Sequence, residues 1–181
     1  MHLENISSDW TLFIDRDGVI NHEKENHYIL NWDEFEFYPG VLEAMSLLAR
    51  KFERVIVISN QRGVGRGLMS VDDLLNIHKQ LELEIANHGG RIEKIYYCTA
   101  VDDKDFYRKP NPGMALLAAK DFPVIQFSKS IMVGNKISDM QFGRNAGMST
   151  VYLKTTHPNQ TLPHPDIDLA FDSLIGFAKA L

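Results

Sequence analysis

An α/β fold, doubly wound around a mainly parallel sheet, is predicted by three observations. Short apolar runs alternate with helix-patterned stretches along the chain. One run, residues 54–59 (RVIVIS), is continuous and β-branched, as a strand covered on both faces should be. The runs also end in acids, amides or hydroxyls, which suits sheets that bind ligands beyond the carboxyl ends of their strands.

The first run, residues 10–14 (WTLFI), stops at Asp15-Arg16-Asp17-Gly18. Residues 40–51 place Val41, Met45, Leu47 and Leu48 at near-helical spacing. After the second strand at 54–59, residues 70–88 open on Ser70 and Asp73 as a capping pair. They then set Leu74, Ile77, Leu81 and Ile85 along one stripe. Residues 92–99 (IEKIYYCT) are a third strand, and 112–120 a helix with Pro112 near its first turn. Residues 130–133 (SIMV) are a fourth strand, and the helix at 136–145 stops before Gly147. Residues 150–153 (TVYL) add a fifth strand and 174–181 a last short helix. No repeat, low-complexity tract or linker divides residues 1–181, which read as a single domain.

With 181 residues, 44% of them hydrophobic, the chain can bury a core. Lys+Arg 19 against Asp+Glu 24 leaves a net charge of −5, which disfavours nucleic acid as a partner. The single cysteine, Cys98, excludes an internal disulfide and fits a reducing compartment. Residues 1–9 lack the basic start and apolar core of a secretory signal, and no apolar stretch approaches membrane-spanning length. A cytoplasmic monomer acting on a small molecule is expected, with no membrane or nucleic-acid partner.

The residues that follow the strands form one chemical set. Asp15 and Asp17 follow the first strand, Ser59 and Asn60 end the second, Arg108 and Lys109 follow the third, and Asn135 and Asp139 follow the fourth. Acids, a hydroxyl and a lysine from four strand ends describe a site for phosphoryl transfer with Mg²⁺, whose octahedral shell takes hard oxygen ligands.

The segments FIDRDGVIN, VISNQRGVGRG, RKPNPGM and VGNKISDM resemble, in order, the four motifs of the haloacid dehalogenase superfamily of aspartyl-phosphate phosphatases. They are most similar to its capless, Rossmannoid branch of heptose-bisphosphate and histidinol-phosphate phosphatases. The resemblance runs from about residue 12 to 153. It implies Asp15 as nucleophile and Asp17 as general acid and then base. Ser59 is implied as a phosphoryl contact and Lys109 as the neutralising cation. Asp15, the Asp17 carbonyl and Asn135 are the implied Mg²⁺ ligands, with Asp139 holding metal waters or Lys109.

Gly63-Val64-Gly65-Arg66-Gly67 lacks the third glycine of a dinucleotide fingerprint and the Gly-Lys-Ser/Thr of a P-loop. The resemblance makes it a substrate loop. Asn60, Arg62 and Arg66, with Arg108, would then face the unreacting part of the substrate, where arginines suit a second phosphate. No histidine has metal-ligand spacing, and His22, just behind the nucleophile, has the best claim to lie near substrate. Phe35, Phe37 and Tyr38 read as packing rather than a stacking platform.

Two departures from the family pattern stand out. Relatives commonly hold a structural zinc with four ligands before Arg-Lys-Pro; here Cys98 stands without partners, Ala100 replaces the histidine, and no zinc is expected. The fourth motif usually opens on Gly-Asp, but here it opens on Gly134-Asn135, so an amide replaces a charged ligand. The expected activity is Mg²⁺-dependent hydrolysis of a sugar bisphosphate such as D-glycero-D-manno-heptose 1,7-bisphosphate. The alternatives are histidinol phosphate, a polynucleotide 3′-phosphate, or a weakened phosphate-binding module on account of Asn135.

Overall fold

The computed structural model describes residues 2–25 and 27–181. Six strands form one sheet: β1 Thr11–Ile14, β2 Arg54–Asn60, β3 Lys94–Cys98, β4 Ser130–Gly134, β5 Ser149–Leu153 and β6 Leu169–Phe171. Their order is β3-β2-β1-β4-β5-β6, and each neighbouring pair is parallel. The chain winds outward from β1 through β2 to β3, then returns to the other side of β1 with β4. That reversal makes β1 and β4 the switch point, where a crevice opens beyond the carboxyl ends.

The helices are α1 Val41–Lys51, α2 Arg62–Gly65, α3 Val71–Asn87, α4 Gly113–Asp121, α5 Ile137–Ala146 and α6 Leu174–Lys179. Strand alternation sorts them into two layers. Leu12, Ile14, Val55, Val57, Ile131 and Val133 pack with α1, α3 and α6 on one face. Phe13, Ile56, Ile58 and Met132 pack with Met114, Ala115 and Ala118 of α4 and Phe142 of α5 on the other. Ser70 caps α3 as expected, accepting from the Asp73 N–H while Asp73 accepts from the Ser70 N–H.

Three differences from the sequence reading have local causes. β6 was not anticipated: three half-exposed residues show no alternation to read. The turn α2 lies in a glycine-rich stretch of low helix propensity. β3 starts at Lys94 rather than residue 92, with the Glu93 N–H bonded to Val55 O just before it. Between β1 and α1, residues 15–40 include only the short 3₁₀ turn Trp32–Glu34 and the isolated bridges Asp17–Asn21 and Asn21–Phe37 among the described residues. Glu23, Lys24 and residues 27–29 of this segment line the crevice beyond the carboxyl end of β1, and the segment holds no helical or sheet domain among the described residues. No helix is long and apolar enough to cross a membrane among the described residues.

Candidate active site

The floor of the crevice is built at the switch point. The Asp15 N–H donates to Val133 O at 3.0 Å, so β4 still pairs with the chain where β1 ends. Asp15 Oδ1 accepts from the Arg16 N–H at 2.7 Å and lies 2.9 Å from Lys109 Nζ. Lys109 Nζ also lies 2.7 Å from Asp139 Oδ1 and donates to Ile58 O at 3.0 Å. All three of the lysine's protons therefore have acceptors. Asp139 Oδ2 accepts from the N–H groups of Asn135 and Lys136 at 3.2 and 3.0 Å, which fixes the carboxylate at the start of α5. Gly134 leaves room for it: a Cβ there would sit 2.3 Å from Asp139 Cβ.

These groups are out of water, and their protonation shows it. Burial pushes Asp15 up to about 7, Lys109 pulls the other way, and Asp139 adds to the rise. Burial alone would lower Lys109, but Asp139 and Asp15 outweigh it and hold the ammonium above its ordinary value. A cation beside Asp15 would restore the charged carboxylate.

Asp17 sits in a second network. Arg16, fully buried, donates from Nε and Nη2 to Asp17 at 3.0–3.2 Å and from Nη2 to Gln61 Oε1 at 3.2 Å. Asn21 and Gln61 add amide donors to the same carboxylate at 2.9 and 2.8 Å. Burial pushes Asp17 up, but Arg16 and these donors overcome it and leave its pKa below the ordinary value. Arg16 Nη1 donates to His78 Nε2 at 3.2 Å, which makes His78 the neutral acceptor. Burial and Arg16 together drop His78 to about 3.

The cleft above has a volume of 380 Å³, lined by Asp15, Asp17, Lys109 and Asp139 at one end and Arg62 and Arg108 at the other. Ser59 lies buried beneath it, its hydroxyl accepting from Gln61 Nε2 at 2.7 Å. Arg62 and Arg108 both pair with the Asp103 carboxylate, Arg108 at 3.0 Å.

Asn60 lines the cleft, and its side chain pairs in both directions with the Lys109 backbone at 3.1 Å, which also positions the lysine. Two expectations about the cleft need correction. Arg66 is absent from the lining and sits 5.8 Å from the Tyr28 ring centre. The turn of α2 carries it about 6 Å along the helix axis from Arg62. His22 packs against Tyr38, ring centres 3.8 Å apart and tilted by 37°, and it is His27 that lines the cleft. Phe35 packs on Trp32 and Phe37, as expected. The side chains of Arg16, Asn21, Gln61, Glu23 and Asp103 were missed. Their adjacency to the motifs was the one available signal.

Among the described residues, no group of three or more His, Cys, Asp or Glu side chains is arranged to hold a metal. A cation on the floor would find neutral oxygens as well as carboxylates. Asn135 is fully buried; its Nδ2 donates to Glu23 and Thr156, while Oδ1 has no partner. A hard cation fits that donor set. At the zinc position, Cys98 Sγ lies 3.5 Å from Asp105 Oδ1, and burial raises the thiol's pKa.

Residues 9–177 match the family model for polynucleotide kinase 3 phosphatase. The D-glycero-alpha-D-manno-heptose-1,7-bisphosphate 7-phosphatase of Mycobacterium bovis is 34% identical over 182 residues, covering 100% of this chain and 96% of the relative. The D-glycero-beta-D-manno-heptose-1,7-bisphosphate 7-phosphatase of Photorhabdus laumondii is 32% identical, covering 94% of each. The crystal structure of D,D-heptose 1,7-bisphosphate phosphatase from B. bronchiseptica, complexed with magnesium and phosphate, matches with a TM-score of 0.86. It is 28% identical and covers 94% of this chain and 97% of that one. The chain belongs to the polynucleotide kinase 3 phosphatase family and is a phosphatase of haloacid dehalogenase-like fold.

Proposed function

We propose that the protein hydrolyses one phosphate of a sugar bisphosphate, D-glycero-D-manno-heptose 1,7-bisphosphate, at the 7-position. One observation carries this reading: a single cleft joins the buried Asp15–Lys109–Asp139 set to two arginines suited to a second phosphate. The names of the relatives supply the sugar.

Asp15 Oδ2, which accepts no hydrogen bond among the described residues, is the attacking oxygen. It bonds to phosphorus as the bond from phosphorus to the sugar oxygen breaks, giving an aspartyl-phosphate. Asp17 gives its proton to the leaving oxygen. As a carboxylate it then takes a proton from the water that attacks phosphorus, which frees Asp15 and inorganic phosphate. The Arg16-held carboxylate suits that second step. The first step needs a protonated Asp17, and an arriving phosphate dianion favours this by repulsion between like charges. Ser59 and the Arg16 N–H bind phosphoryl oxygens, Lys109 balances their charge, and Asn60 holds the Lys109 backbone. Mg²⁺ held by Asp15, the Asp17 carbonyl and Asn135, with Asp139 steadying its waters or Lys109, would supply the charge that lets two anions meet.

We infer no zinc in the 98–109 loop, because Cys98 is the single cysteine and Ala100 stands where a histidine ligand would be. A monomer in the reducing cytoplasm completes the reading. The test is Mg²⁺-dependent phosphate release from both anomers of the heptose bisphosphate, histidinol phosphate and a 3′-phosphorylated oligonucleotide, with Asp15→Asn as control. The heptose bisphosphates should give the highest kcat/KM. Release no faster than the control on every substrate overturns the proposal, and preference for the oligonucleotide replaces it.

A further inference from the structure

Asn135 occupies a position where an acid is expected, and the structure shows how its amide is held. Nδ2 donates to Glu23 Oε1 at 3.1 Å and to Thr156 Oγ1 at 2.8 Å, leaving Oδ1 buried and unpaired. A buried carbonyl without a partner is destabilising, so the arrangement persists only if the alternative is worse. It is worse. Turning the amide over would set Oδ1 against the Glu23 carboxylate and point the NH₂ group at the cation position.

The backbone leaves the amide little freedom. Gly18 has φ +84°, and a Cβ there would lie 2.0 Å from Asn135 Nδ2, so the side chain rests directly on the Gly18 backbone. Thr155 Oγ1 donates to Gly18 O at 2.5 Å and ties that turn to the segment that presents Thr156.

Charge points the same way. With Asp15 ionised, the carboxylates of Asp15, Asp139 and Glu23 around the floor face the ammonium groups of Lys109 and Lys136, which leaves one negative charge. Glu23 provides the surplus. Without it the set is neutral, and a divalent cation loses much of its reason to bind.

We propose that Glu23 is a positioning residue for the Mg²⁺ ligand Asn135. It locks the amide with Oδ1 toward the cation, and it carries, one residue removed, the negative charge that an aspartate at 135 would have placed on the ligand. The proposal rests on the Mg²⁺ reading given above.

The experiment is calorimetric titration of MgCl₂ into the chelator-treated protein. Glu23→Gln keeps an acceptor but removes the charge, and should raise the Kd for Mg²⁺ about tenfold. Glu23→Ala also frees the amide, and should raise it by about 10–100-fold. The sharper arm is a cycle with Asn135→Asp. An acid at 135 has no proton for Glu23 and meets it as a like charge, so Glu23→Gln in that background should leave Mg²⁺ binding unchanged or tighten it. A Kd within twofold of the parent for Glu23→Ala overturns the proposal, as does an equal weakening by Glu23→Gln in both backgrounds. Thermal midpoints without Mg²⁺ show whether each variant is folded, and the near-isosteric Glu23→Gln decides the matter if Glu23→Ala is not. If Asp15→Asn abolishes binding while Glu23→Ala leaves it intact, only this proposal falls. If the folded parent binds no Mg²⁺, the metal reading falls with it.

Discussion

On the floor of the cleft, Asp15, Lys109 and Asp139 are 6%, 4% and 1% exposed: Asp15 follows β1, Asp139 lies in the first turn of α5, and Lys109 is folded inward from the loop after β3. At its mouth, Arg62 and Arg108 share Asp103, whose side chain is 81% exposed on a loop. The same kind of contact, a carboxylate against a cation, does different work in the two places. Removed from water, the floor charges depend on one another, and removing a partner leaves a buried charge uncompensated. At the mouth, solvent screens each pair to about 0–1 kcal/mol, so an incoming phosphate can displace Asp103 at little cost. In the proposed reaction the floor would govern whether phosphorus is attacked, and the mouth which molecule presents it.

The comparison breaks most visibly at Asp15. Asp15→Asn should lower kcat by about 1,000-fold or more, since the second oxygen is no longer a nucleophile. A loss under tenfold in a phosphate-release assay would move the nucleophile elsewhere. Lys109→Met leaves Asp15 and Asp139 facing each other and should cost about 3–5 kcal/mol in urea unfolding at neutral pH. A cost below 1 kcal/mol would mean the floor is as screened as the mouth.

His78 tests the buried Arg16–Asp17 network beside the floor by pH. Its folded pKa near 3 lies below the ordinary 6.5, so between those values the unfolded chain binds a proton that the folded one refuses. The His78 contribution is complete above pH 6.5 and falls by about 1.4 kcal/mol per pH unit on going down toward 3. Replacing His78 by Gln should flatten that limb of stability against pH, and an unchanged slope would show that the residue is not buried neutral. The smallest effect belongs to the mouth. Arg62→Ala or Arg108→Ala should raise KM for a bisphosphate about tenfold, with little change for a monophosphate and little in stability. Equal losses on both substrates would place these arginines with the floor.

Much of this was legible in the sequence, for stated reasons. Buried parallel strands need continuous apolar runs, so four of the six strands were readable end to end within a residue or so. Reactive groups follow strands, so Asp15, Asp17, Ser59, Lys109, Asn135 and Asp139 stood out as a set, and the structure gathers them at the carboxyl ends around β1 and β4. What was not legible concerns side chains whose partners are remote. The hold of the Asn60 amide on a backbone 49 residues away has no local signal. Arg66 was taken for a substrate contact because loop glycines do not disclose that a helical turn will carry it aside.

Local sequence thus determined the kinds of element and the chemistry at their ends, because periodicity, capping and strand-end acids act over a few residues. Tertiary structure decided the partners. The Glu23–Asn135 bond spans 112 residues, and Arg16 reaches His78 across 62. Such contacts depend on the winding order of the sheet, which brings the ends of β1 and β4 together, and on burial, which makes each pairing count.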